Sequence, residues 1–146
     1  MDVIIHCSAS KFGNAILIDS WHRQRGWNGI GYHTVILNGW ITSKLHNKHF
    51  DGLIESGRPF DDSNLIDPFE TGAHTIGHNN KIGVCLIGNS GDFTHNQVQS
   101  LHRFLGWMRQ IFGPLTISQH SDWDSRKPLC AGLSKEFIEH LNNAYG

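Results

Sequence analysis

The run Ile82-Gly83-Val84-Cys85-Leu86-Ile87 carries no charged side chain. A strand apolar on both faces cannot lie at a solvated edge, because it needs a neighbour on each side and a layer above and below. The chain is therefore expected to build a sheet around this segment and to cover it with helices.

The remaining pattern supplies those parts. Val3 to His6 reads as a short buried strand, and Tyr32 to Leu37 as a second, with Asn38-Gly39 as a hairpin signal. Gly52 to Ser56 reads as the returning strand and Leu115 to Gln119 as a further short one. Asn14 to Arg25 reads as a helix with Ile16, Leu17 and Trp21 at helical spacing, stopped by Gly26. Thr94 and Gln97 form a Thr-x-x-Gln capping box. Behind it Val98, Leu101, Leu105, Met108 and Ile111 recur at spacings of three and four, and Gly113-Pro114 ends the helix. Ser134 caps a last helix with Phe137, Ile138 and Leu141 inward. Residues 57–80, rich in Gly, Asp, Pro and Asn, read as loop. Strands alternating with helices predict an α/β fold, a single domain over residues 1–146 with a central mixed β-sheet flanked by α-helices.

Lys+Arg 12 against Asp+Glu 13 leaves a formal charge of −1, which offers no basic field for nucleic acid. No apolar run approaches the ~20 residues of a membrane helix. The opening MDVIIHCSAS lacks a charged n-region and a long apolar stretch. The expectation is a chain made in the cytosol, without membrane insertion, and acting as a monomer. Three cysteines, an odd count, argue for reduced thiols over a disulfide framework. Cys7 and Cys85 fit buried strands as small hydrophobes. Cys130 lies in HSDWDSRKPLCAG, where no apolar run accounts for it.

Eleven histidines in 146 residues is a large number for a small domain. His22, His102 and His140 fall in helix-like segments and read as structural. His6 ends the first strand and His120 follows the Leu115–Gln119 strand, with Cys130 in the loop beyond. Groups at strand ends of an open α/β sheet converge on a shared crevice. Two imidazoles and a thiolate suit zinc, and three protein ligands leave a position open for water. Spacing alone does not separate this trio from unrelated histidines and a loop cysteine.

Five segments in order carry a resemblance: IIHCSAS (4–10), SWHRQRGWNGIGYH (20–33), IESGR (54–58), GAHTIGHNNKIGVCLIGN (72–89) and HSDWDSRKPLC (120–130). With them the chain resembles the N-acetylmuramoyl-L-alanine amidases, the family of phage amidase-type lysozymes and peptidoglycan recognition proteins. The resemblance implies a zinc ion held by His6, His120 and Cys130, with Tyr32 beside the metal. It further implies that His74 contacts substrate near the scissile bond and that a lysine precedes the third ligand. Lys127 stands three residues before Cys130, whereas the phage lysozymes place their lysine two before; Pro128 occupies that position here. Roughly ten residues around Ile41 to Asp51 are also extra, reading as an extended solvated hairpin or a groove wall.

The implied activity is hydrolysis of the amide between the muramoyl lactyl group and L-alanine of peptidoglycan, carried out on the cell wall after release. Three other readings stand beside it. One is a non-catalytic peptidoglycan-binding module, a group that typically lacks the cysteine; another is a regulator that binds a phage RNA polymerase. The third is a structural metalloprotein, which would need a fourth protein ligand, and the sequence offers no Cys-x-x-Cys partner.

Overall fold

A computed structural model describes all residues, 1–146. Five strands form one sheet in the order β3-β2-β4-β1-β5. They are β1 (Asp2–Cys7), β2 (Thr34–Trp40), β3 (His46–Ser56), β4 (Ile82–Leu86) and β5 (Thr116–Gln119). Three helices join them: α1 (Ala15–Gln24), α2 (His95–Phe112) and α3 (Lys135–Tyr145). The wholly apolar β4 lies at the centre with β1 and β2 parallel on either side, and β5 is parallel to β1. Only β3 runs antiparallel, so the sheet is mixed, as expected.

Alternation along the strands divides the molecule into two layers. Val3, Ile5, Ile36, Ile82, Val84, Leu86 and Ile117 face α2 and α3 in the larger core. Val35, Leu37, Cys85 and Ile87 face the other way, packing with Ile18 of α1 and Ile30. His6 shares this second face, since it pairs with Cys85 across the parallel ladder. The face covered by α2 and α3 supplies most of the apolar burial, and the second face, only partly covered by α1, is left with room for polar groups.

Three expectations are corrected. The α2 capping box forms, with Thr94 and Gln97 bonded reciprocally, but the buried stripe runs through Leu101, Phe104, Leu105, Met108 and Phe112 while Ile111 is 50% exposed. The periodicity was satisfied by either neighbour of each pair, and the two phenylalanines bury more surface than Ile111 would. In α1, capped by Asn14, Ile16 is exposed and the inward positions are Ile18 and His22. The hairpin also does not turn at Asn38-Gly39. β2 continues to Trp40, which pairs with His46, while Asn38 pairs with Asp51. Residues 47–50 thus lie opposite Gly39 alone, an irregular bulge on an edge strand. The bulge bends the hairpin toward α2, where Asp51 accepts hydrogen bonds from Thr94 Oγ1 and Asn96 Nδ2.

Residues 57–80 contain no helix or strand. Buried polar staples hold them instead. Glu70, 7% exposed, accepts from the backbone N–H groups of Asp61 and Asp67. Arg58 donates to the carbonyls of Ile30 and Thr71. Asn79 Oδ1 accepts from the N–H groups of both His74 and Thr75. The result is a fixed loop that lays His74 onto the second face of the sheet, against Gly83. A Cβ on Gly83 would meet the His74 ring at 2.6 Å, so this strand position is open only to glycine.

Candidate active site

Parallel pairing of β1 with β5 sets their carboxyl ends side by side, and His6 and His120 leave from those ends with ring centroids 4.5 Å apart. The loop after β5 turns back so that Ser121 N–H donates to the Cys130 carbonyl at 2.6 Å. The Cys7 N–H then donates to Cys130 Sγ at 3.3 Å. Donor atoms of His6, His120 and Cys130 all lie within 4.8 Å of one another. Tetrahedral zinc with the usual Zn–N and Zn–S lengths separates its ligand atoms by ~3.5 Å. Cys130 Sγ and His6 Nδ1, at 3.9 Å, already stand near that spacing. The donor set therefore fits zinc, and no fourth protein donor joins it.

Hydrogen bonds decide which nitrogen of His6 is available. The Lys81 carbonyl, 2.9 Å from His74 Nε2, can only accept, so His74 carries its proton on Nε2. Burial pushes the His74 pKa down to about 3, so the ring is neutral and Nδ1 holds a lone pair. His6 Nε2, 3.0 Å from that lone pair, must then be the donor. The Nδ1 of His6 is thereby left unprotonated on the side of Cys130. Thr75 Oγ1 lies 3.1 Å from His74 Nδ1 and 3.3 Å from His6 Nε2, within the same network. An outer carbonyl fixing the tautomer of a ligand histidine is the arrangement metal sites generally require.

His120 presents its Nε2 edge to Asp124 Oδ2 at 4.0 Å, and Arg126 grips both oxygens of that carboxylate. Contact with the Cys7 thiol, together with burial, pushes the Cys130 thiol up, so ligation to a cation would be needed to make it a thiolate.

Tyr32 stands just before β2 and outside it, with its ring 5.1 Å from the His6 ring and 5.5 Å from His22 and its hydroxyl beside the Cys85 thiol. Burial and the nearby thiols raise its pKa well above the usual tyrosine range, so it remains an O–H donor at all working pH values. His33, which also precedes β2, borders a recess with Phe104, Trp107 and Met108 of α2. Its Nε2–H donates to the Glu70 carbonyl and its Nδ1 accepts from Gly83 N–H. His22 Nδ1 likewise accepts from Gly31 N–H.

These two histidines predict a pH dependence of stability. Burial lowers both, His22 to about 4 with Arg25 and Arg58 adding to the effect. A native pKa below the unfolded value of ~6.5 means that the unfolded chain binds protons first as pH falls. Their contribution is complete above ~pH 6.5 and is lost on acidification toward pH 4. The Tm should fall steadily from pH 7.5 to pH 5 at constant ionic strength. A flat profile would show that the neutral-acceptor roles are misassigned.

Beside the metal-type trio runs a groove of about 440 Å³, bordered by His74 and His120. Arg25 and Trp27 form one part of its wall, Ile76 another, and Asp124, Arg126 and Lys127 a third. Lys127 thus borders the groove despite its offset, although its side chain is largely exposed. Both nitrogens of His74 are engaged inside the protein, so its ring carbons are what it offers to the groove. Arg25 and Trp27 were missed in the sequence; the only available signal was the tryptophan of RGW next to GYH.

No family model matches the chain. It is 31% identical over 131 residues to an endolysin of Enterobacteria phage T3, covering 82% of this chain and 74% of that one. The solved N-acetylmuramoyl-L-alanine amidase LysC from Clostridium intestinale is 25% identical with a TM-score of 0.73, covering 98% of this chain and 83% of that one. A bumblebee peptidoglycan recognition protein, PGRP-SA, shares the fold at 22% identity and a TM-score of 0.67, covering 94% and 79%. With the sheet order, the trio of donors and this similarity in hand, the chain belongs to the family of phage endolysins, N-acetylmuramoyl-L-alanine amidases and peptidoglycan recognition proteins.

Proposed function

We propose that the chain is a zinc-dependent N-acetylmuramoyl-L-alanine amidase that cuts the amide joining the muramoyl lactyl group to L-alanine of the stem peptide. The observation that carries this reading is the convergence of His6, His120 and Cys130, three donors and not four, at the side of a groove. A three-donor set is the pattern of catalytic zinc, whereas structural sites are closed by a fourth ligand. When bound there, zinc supplies Lewis acidity and activates water near neutral pH.

The chain's own residues do the rest. The carbonyl of Lys81, through His74, keeps the His6 proton on Nε2 and its Nδ1 lone pair on the donor side. Tyr32, a neutral phenol beside His6, donates a hydrogen bond to the oxygen that becomes negative as the amide carbon turns tetrahedral. Lys127, on the groove rim, adds positive charge toward the same oxygen. His74 contacts the substrate through its ring edge, and Trp27 and Ile76 offer apolar surface along the groove. Cys130 also favours an enzyme over a binding-only module, since the thiolate completes the donor set.

The ligand is peptidoglycan. The chain acts as a monomer, made in the cytosol and meeting the wall after release, as endolysins do. No helix is long and apolar enough to cross a membrane, and no nucleic-acid surface is needed.

Purified protein incubated with cell-wall sacculi should release stem peptides bearing a free L-alanine amino group, identified by mass spectrometry. A chelator should stop release, and added zinc should restore it. Glycan fragments without free stem peptides would point to a different bond and overturn the reading.

A further inference from the structure

Four tryptophans other than Trp21 are substantially exposed or reach the surface in distinct settings. Trp27 belongs to the catalytic groove, with His22 and Arg25 against its ring. Trp123 is covered by His78 at 4.1 Å and by Lys81. Trp107 borders a single recess of about 320 Å³ with Ile54, Phe60 and Met108. Trp40 differs, because open clefts of about 420 Å³ and 300 Å³ both border it. These volumes lie in or near the ~300–1,000 Å³ range of small-ligand sites.

The cleft is built by the hairpin extension. Gly39, at φ +92°, allows the His46 ring to lie across the strand, since a Cβ there would meet His46 Nε2 at 2.7 Å. His46 in turn rests 4.9 Å from the Trp40 ring. The Gly13 N–H donates to the Trp40 carbonyl, tying the Ser8–Phe12 loop against the hairpin as the opposite wall. Polar groups ring the indole. Thr42 Oγ1 accepts from Lys44 and Leu45 N–H groups, which leaves its own proton to donate outward. Lys11 and Asp92 both border the cleft and take no part in the ion pairs of the molecule, while the Asp51 carboxylate there is held by Thr94 and Asn96. Charges of both signs in one lining disfavour a strongly ionic ligand of either sign. An aromatic face with separated donors and acceptors suits a neutral pyranose, whose axial C–H groups stack on the ring's negative face while its hydroxyl and acetamido groups reach the walls.

We propose that the Trp40 cleft binds N-acetylated amino-sugar units, as a glycan-strand subsite distinct from the groove beside the donor trio. Its biological ligand rests on the amidase reading, but its chemistry does not. The Trp40 clefts share no lining residue with the groove beside His74 and His120, so the subsite is a separate one.

The test is titration of the zinc-loaded protein with a chito-oligosaccharide tetramer, followed by two-dimensional NMR. Shifts should concentrate at the Trp40 indole, Lys11, Thr42 and His46, and persist after chelation of the metal. Trp40→Ala should weaken binding roughly tenfold or more, as for truncation of a central aromatic anchor, while Trp107→Ala should bind as the parent does. Absence of shifts at Trp40 at tens of millimolar sugar, or shifts confined to the Trp27 groove, overturns the subsite. Because the shift map uses the parent protein, it decides the matter even if Trp40→Ala does not fold. Sugar binding at Trp40 without any release of stem peptide from sacculi would retain the cleft and reject the amidase reading.

Discussion

Cys130→Ser is expected to abolish amide hydrolysis and to bind zinc poorly, while melting close to the parent chain compared metal-free. A serine hydroxyl does not ionise near neutral pH, so a charged soft donor becomes a weak neutral one, and two imidazoles alone hold the ion poorly. The fold should survive because Cys130 is a half-buried loop residue, and the Cys7 N–H that points at its sulfur can donate to a hydroxyl instead. Metal analysis after dialysis, turnover on sacculi and thermal melts of metal-free samples separate these outcomes. Stoichiometric zinc with parental turnover in the variant would remove Cys130 from the site. A large loss of metal-free stability would make it a structural residue.

Tyr32→Phe should retain zinc and fold yet lose ~10²-fold in kcat, the scale of one missing hydrogen-bond donor to a developing oxyanion. The phenyl ring preserves the contacts with His6 and His22, so only the hydroxyl is removed. The raised tyrosine pKa adds a signature. No loss of activity from Tyr32 ionisation should appear on the alkaline limb up to ~pH 10, the ordinary tyrosine range. Lys127→Ala should cost less, about tenfold in kcat or ~1.4 kcal/mol, because its ammonium is exposed and screened where the phenol is enclosed. If the lysine variant proves the more damaging, the assignment of the principal donor is reversed. If Tyr32→Phe empties the metal site, Tyr32 is no mere neighbour.

Much of this arrangement was legible along the chain, for reasons that differ by residue. β4 declared itself because a run with no polar side chain has one place to go. Thr94 and Gln97 marked the start of α2 because capping is local chemistry, satisfied within four residues. Cys130 stood out because no apolar run in its loop accounted for a cysteine. Less legible were features settled by distant partners. Asn38-Gly39 is a hairpin signal in isolation, yet Trp40 and His46 find one another beyond it, so the turn moves to residues 41–45. Ile111 fits the periodicity of α2, but Phe104 and Phe112 take the core. Tyr32 fits a strand by composition, but Gly31 and the backbone of Ala73 meet there, holding it outside the ladder. The roles of His22, His33 and His74 depend on carbonyl and N–H groups contributed by Gly31, Glu70, Gly83 and Lys81. No spacing rule encodes those backbone partners, so the histidine count signalled chemistry without dividing ligands from supports.

Pairing of the first strand with the last has a consequence for the order in which the molecule comes into being. A chain emerging from the ribosome as far as Phe112 already contains β1 to β4 and α2, but only His6 of the donor trio. Docking of β5 beside β1 is a contact of very high sequence separation, and such contacts close late because loop entropy is spent before they reward it. On the proposed reading, the donor set for zinc is therefore incomplete until the final strand has docked. A partly synthesised chain would then hold no ion at this site, and refolding traces should show metal uptake trailing the burial of β4.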